Sequence, residues 1–134
     1  MRELHHGTVI AIGGLGALIR GPSGSGKSDL ALRCIDHPPG GLVSGRAVLV
    51  ADDQILLERR GDILLASPPQ AIRGLIEVRG VGIVPVPFAT EAVLALVVEL
   101  VASDRIERLP DPQTHAQISG IHLPLLNISA FEGS

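Results

Sequence analysis

The segment Gly21-Pro22-Ser23-Gly24-Ser25-Gly26-Lys27-Ser28 constrains this chain more than any other. It fits the pattern G-x-x-x-x-G-K-[ST] in full. The apolar run Ala17–Arg20 precedes it and reads as a strand. Leu30, Ala31, Cys34 and Ile35 follow at helical spacing, which predicts a helix over about Lys27–Asp36. His37-Pro38-Pro39-Gly40-Gly41 stops that helix. A strand, a glycine loop and a helix in this order turn successive backbone N–H groups inward on an anion. The N-terminal end of the helix adds positive potential at the same point. Lys27 is a flexible point charge with the reach to contact the β- and γ-phosphates, and the Ser28 hydroxyl is a ligand for Mg²⁺. Lys27 is also the one lysine of the chain, against ten arginines. A plain Gly/Ser turn is the bland alternative, and the flanking strand and helix weigh against it.

Length and composition narrow the setting. A chain of 134 residues makes one domain. With 46% apolar and 19% charged residues, it has enough apolar surface to build a core, which argues against disorder. The only aromatic residues are Phe88 and Phe131, and the formal charge is −3. That excludes nucleic-acid binding by base stacking and leaves no basic footprint for a polyanion. The longest apolar run, Ala92–Val98, is far short of the ~20 residues needed to cross a bilayer. Met1-Arg2-Glu3-Leu4-His5-His6 lacks the apolar stretch of a signal peptide, so the expected compartment is the cytoplasm. A lone Cys34 excludes an intramolecular disulfide and a Cys-rich metal site.

The rest of the chain reads mostly as strands. Thr8–Ile12 precedes a tight turn at Gly13-Gly14-Leu15-Gly16. Ala47–Ala51 is a continuous apolar run, as expected of a strand buried on both faces, and it ends in Asp52-Asp53. Gln54–Glu58 and Ile63–Ala66 predict a hairpin, and Ala71–Leu75 a short turn. Leu75–Val78 and Ile83–Val86 are strand-like around Arg79-Gly80-Val81-Gly82. Ala92–Ala102 favours a strand over a helix, and one further strand is expected near Ile121–Ile128. Ligands of α/β folds bind at the carboxyl ends of strands, where the two aspartates sit. One carboxylate there can hold Mg²⁺, and a second can accept a proton from an attacking hydroxyl. The competing reading makes Asp53 a turn residue and Asp52 a solvated one.

Four segments in order resemble the HPr kinase/phosphorylases in their C-terminal catalytic domain. His6-Gly7-Thr8-Val9 resembles the family's H-G-x-x-V. Gly21–Ser28 resembles its phosphate loop, with Asp29 where Glu is usual. Leu49-Val50-Ala51-Asp52-Asp53 is similar to its L-V-A-D-D, and Glu77-Val78-Arg79-Gly80-Val81-Gly82-Ile83 to its E-[IV]-R-G-x-G-I. Ile118-Ser119-Gly120-Ile121 with Pro124 is a weaker fifth match. The resemblance implies an α/β phosphate-loop kinase domain, strand-rich with few helices and related to phosphoenolpyruvate carboxykinase. It implies ATP and Mg²⁺ as cofactors and a seryl hydroxyl on HPr or a related phosphocarrier as acceptor. Reversal by phosphorolysis and assembly as a homo-oligomer are further implications. By motif, Asp52 is the base toward the seryl hydroxyl, and Ser28 with Asp53 serves the metal. His6 supports the aspartate pair, Glu77 and Arg79 line the phosphate site, and Arg108 lies near the transferring phosphoryl group.

The chain departs from the family pattern at both ends. The motifs begin at residue 5, so the family's separate N-terminal domain is expected to be absent. The sequence stops at Ser134, ahead of a Gly-Arg-Asn motif and a helix that docks the partner. Two other classes compete with the kinase reading. A small-molecule phosphate-loop kinase needs lid arginines, and residues 37–46 offer only Arg46. A non-catalytic nucleotide-binding module is the other. His5, His37, His115 and His122 lack metal-ligand spacing with carboxylates and read as structural or solvated.

Overall fold

Successive side chains of a strand point to opposite faces, and in the central strands both sets are apolar. The computed structural model describes residues 2–22, 24–36, 46–101 and 115–129. In β2 (Thr8–Ile12), Val9 and Ala11 enter one core cluster and Ile10 enters a second. In β3 (Leu15–Arg20), Leu18 and Ile19 divide the same way. So do Val50 and Leu49 of β4 (Val48–Ala51), and Val97 and Val98 of β9 (Ala92–Val101). The strands therefore carry apolar residues on both faces, as the continuous run at 47–51 predicts.

The remaining strands are β1 (Arg2–His6), β5 (Gln54–Arg60), β6 (Ile63–Ser67), β7 (Leu75–Val78), β8 (Gly82–Pro85), β10 (His115–Ile118) and β11 (Ile121–Ser129). The main sheet runs β1-β5-β6-β9-β3-β2-β4, with β11 on β9 and β10 on β11. β9 lies parallel to β3 and β11, and β2 is antiparallel to both β3 and β4. β7 and β8 form a separate hairpin. The turn between β2 and β3 is Gly13-Gly14, both at positive φ (59° and 84°). Two such residues make the tight turn whose twist suits a hairpin. Leu15 and Gly16, expected in that turn, belong to β3.

The helix α1 spans Lys27–Asp36. Ala31 and Ile35 are buried among Leu49, Ile76 and Leu100, and Leu30 and Cys34 pack at the margin. This is the face expected from the helical spacing. A one-turn 3₁₀ helix at Gln70–Ile72 stands where a short turn is expected.

Two strands depart from the expectations. β1 is a polar edge strand, paired with β5 from Arg2↔Glu58 to His6↔Gln54. Its single aliphatic residue, Leu4, gives no periodic signal. β10 carries only Ala116 and Ile118 inward, too short a pattern to separate from a loop. Ala102, the predicted end of β9, lies outside the described residues.

The topology sets the site. Thr8 stands opposite Ile19, and Val9 opposite Ala51. The start of β2, the end of β3 and the end of β4 therefore share one rim of the sheet. The glycine loop and the aspartate pair both emerge there.

Candidate active site

The loop after β3 turns on glycines at positive φ, Gly24 at 82° and Gly26 at 99°. An L side chain is strained at such angles, which is why glycine stands there. The Ser25 N–H donates to the Pro22 carbonyl at 3.0 Å, and the Leu30 N–H to the Gly26 carbonyl at 2.9 Å, where the helix begins. Gly21 has no room for a side chain: a Cβ there lies 2.6 Å from Ser25 Oγ and 3.1 Å from Leu100 Cβ. Lys27 Nζ donates to the carbonyls of Gly21 at 2.9 Å and Pro22 at 3.3 Å, bracing the first turn of the loop. Ser23 lies outside the described residues.

Asp52 is the hub of the rim. It is 7% exposed and is the one buried charged residue among the described residues. Its Oδ1 accepts from Ser28 Oγ at 2.6 Å and from Thr8 Oγ1 at 3.0 Å, and its Oδ2 accepts the Glu77 N–H at 2.9 Å. A buried carboxylate is tolerated only when its oxygens are bonded, and here three donors from three elements converge on it. The glycine loop with the start of α1, β2 and the Glu77–Arg79 segment are tied together through one side chain.

Asp53 behaves differently. Its side chain is exposed and its φ is +72°. By motif, Asp53 is paired with Ser28 as residues that serve the metal; in the structure the carboxylate on the Ser28 hydroxyl is that of Asp52. The physical reason is direction. Asp52 directly follows the buried end of β4 and turns in toward α1, whereas the left-handed Asp53 is carried outward.

Arg79 lies beside the glycine loop. Its Nη2 comes to 3.9 Å from the position of a Cβ on Gly24. The Glu77 side chain is exposed, and its backbone N–H is the part that touches Asp52. His6 ends β1 beside Gly7, whose N–H donates to the Asp53 carbonyl at 3.0 Å. Among the described residues, the His6 ring makes no hydrogen bond to either aspartate. Arg108 lies outside the described residues.

Two features of the rim escape sequence reasoning. Thr8 occupies a free position of the H-G-x-x-V pattern, yet it is completely buried on the aspartate pair. Arg20 and Glu99, opposite each other on β3 and β9, form a 2.9 Å ion pair where β3 enters the loop. A polar β-branched residue opening an apolar run was the only available signal for Thr8.

No group of three or more His, Cys, Asp or Glu that could hold a metal occurs among the described residues. A serine hydroxyl beside one carboxylate suits Mg²⁺, which binds few protein oxygens and completes its shell with phosphates and water. A helix long and apolar enough to cross a membrane is also missing from the described residues.

Known proteins match this chain in sequence and in fold. The chain is 35% identical to an HPr kinase/phosphorylase of Chlorobaculum tepidum over 143 residues, covering 98% of this chain and 40% of the relative. It is 40% identical to that of Bordetella pertussis over 116 residues, covering 78% of this chain and 35% of the relative. The chain thus spans well under half the length of these curated relatives. The solved structure of the Hpr(Ser) kinase/phosphatase from Coxiella burnetii superposes with a TM-score of 0.81 at 27% identity. That match covers 98% of this chain and 81% of the other. The family model of the HPr serine kinase C-terminal domain matches residues 1–134, and the chain belongs to that family.

Proposed function

We propose that this chain transfers the γ-phosphoryl group of ATP to a seryl hydroxyl of HPr or a related phosphocarrier protein. The observation that carries the reading is the convergence of Ser28, Thr8 and the Glu77 N–H on Asp52. It joins the phosphate loop to the E-V-R-G segment in one unit. The names of the relatives supply the acceptor class.

In this reading the loop amides and the start of α1 bind the phosphates. Lys27 exchanges its loop carbonyls for phosphate oxygens, and Arg79 adds a second cation beside Gly24. Mg²⁺, held by Ser28 with Asp52, would neutralise charge on the β- and γ-phosphates. We assign the proton-accepting role to Asp53, in place of Asp52. All three Asp52 bonds engage it in holding the rim, whereas the Asp53 carboxylate is free to meet an incoming hydroxyl. As the seryl oxygen bonds to the γ-phosphorus, its proton passes to that carboxylate and ADP departs with the bridging oxygen. His6 is adjacent in the chain to the segment that holds Asp53 and is assigned a supporting role there; Arg108 keeps the role near the phosphoryl group that its motif implies. The reading extends to self-association and to a cytoplasmic setting, where phosphocarriers act.

Incubation with radiolabelled ATP, Mg²⁺ and purified HPr tests the proposal. Label on a serine of HPr is the expected result. Nucleotide binding without transfer to HPr would favour a regulatory module.

A further inference from the structure

Thr8 is the first residue of β2 and is 0% exposed. A hydroxyl at such a place requires partners. Its Oγ1 donates to Asp52 Oδ1 at 3.0 Å and accepts the Asp53 N–H at 3.4 Å. The directions are forced, because an ionised carboxylate has no proton to give and an amide N–H no lone pair to offer. One hydroxyl therefore links the side chain of the first aspartate to the backbone of the second.

The turn it grips is a strained one. The Gln54 N–H donates to the Asp52 carbonyl at 2.8 Å, closing an i→i+2 turn around Asp53 at φ +72°. γ-Turns of this hand are rare and strained, and a non-glycine residue holds such an angle only where its surroundings over-determine it. Here the surroundings are Gly7 and Thr8. The Gly7 N–H takes the Asp53 carbonyl at 3.0 Å, and the Thr8 hydroxyl takes the Asp53 N–H. Both ends of Asp53 are thus tied to the start of β2.

We propose that Thr8 is a positioning residue for phosphoryl transfer. Its hydroxyl holds the turn that keeps Asp52 on Ser28 and Asp53 facing outward. This rests on the kinase reading above and adds a residue that the family pattern leaves free. The bland alternative is that Thr8 fills space under the rim, a task that valine performs equally well.

That alternative sets the experiment. Thr8→Val keeps the shape and deletes the hydroxyl, and Thr8→Ser keeps the hydroxyl and deletes the methyl. Amide hydrogen exchange of the ligand-free protein is read beside kcat and the KM for ATP. In Thr8→Val, protection at the Asp53 and Gln54 amides is expected to fall while β3 and β9 keep theirs. Its kcat is expected to drop on the order of 10²-fold, the scale of a small misplacement in a reacting site, with little change in KM. Thr8→Ser is expected to restore both. If the valine variant does not fold, Thr8→Ala takes its place with the same expectations. Undiminished local protection and kcat in the hydroxyl-deleted variant would overturn the proposal. So would a loss of protection spread evenly over the core strands, or a serine variant that restores nothing. Absence of transfer to HPr by the unmodified protein would defeat the kinase reading alone, because exchange at Asp53 and Gln54 still decides whether Thr8 holds the turn.

Discussion

Ser28 Oγ lies 2.6 Å from Asp52 Oδ1, and this short bond couples the first turn of α1 to the end of β4. Hydrogen bonds to an ionised acceptor are about twice as strong as neutral ones. The position of the phosphate-loop serine therefore depends on Asp52, and the position of Asp52 depends on Thr8 and the Glu77 N–H.

The two aspartates are expected to fail differently when each is changed to asparagine. Asp52→Asn replaces one carboxylate oxygen with an NH₂ donor, so either the two hydroxyls or the Glu77 N–H loses its acceptor, which costs about 1–3 kcal/mol for a donor left without a partner. Its ligand-free melting temperature should fall, and Mg²⁺ should no longer tighten ATP binding. Asp53→Asn should melt normally and bind Mg·ATP normally. It should lose ~10²–10⁴-fold in transfer, the usual contribution of a positioned base. Calorimetry and single-turnover transfer on both variants decide the assignment; the reverse pattern would return the base to Asp52.

Lys27→Ala removes the brace across Gly21 and Pro22 and, in the proposed reaction, a phosphate contact. ATP affinity should fall at least tenfold, measured by calorimetry, with the far-ultraviolet circular dichroism unchanged. Lys27→Arg should not rescue it, since a planar fork does not replace a compact ammonium at a loop of this kind.

Gly74 stands at φ +75°, and a Cβ there meets Phe88 Cδ1 at 2.7 Å. Gly74→Ala combines backbone strain with overpacking, and we expect a loss of about 1–3 kcal/mol. Urea unfolding checks this. Gly80, also at positive φ but with open space around it, should lose less on the same change because only the strain applies.

Burial pushes the Cys34 thiol above its ordinary pKa. The thiolate is the reactive form, so alkylation at pH 8 should be slower in the folded protein than in urea. The sign for stability follows from linkage. The folded state holds the thiol proton more tightly, so this contribution is complete below the ordinary thiol pKa. It is lost as pH rises through the folded value. Cys34→Ala should flatten that alkaline decline in a series of melting curves.

Phosphorolysis is expected in the same site. The base of the proposed forward step is the acid of the reverse one, and a loop that holds the γ-phosphoryl group in that reading can hold orthophosphate. Phosphoserine-HPr at high phosphate and low ATP should release pyrophosphate, followed by a coupled assay. Release of orthophosphate instead would point to hydrolysis.

Local pattern alone determined much of this protein. The phosphate loop, the helix over 27–36 and the paired aspartates at a strand end are legible because each is written in consecutive residues. Apolar runs likewise mark β2 and β4, and the β-branched residues of 92–102 mark β9. Only the tertiary structure decided which aspartate meets Ser28, and that Thr8 stands beneath the pair. Those partners are 24 and 44 residues apart in the chain. Their meeting depends on β2 lying between β3 and β4, with Thr8 opposite Ile19 and Val9 opposite Ala51. The left-handed turn at Asp53 then sends the neighbouring carboxylates in different directions. Adjacent identical residues carry no sequence signal for that choice; the hydrogen bonds of a folded rim make it.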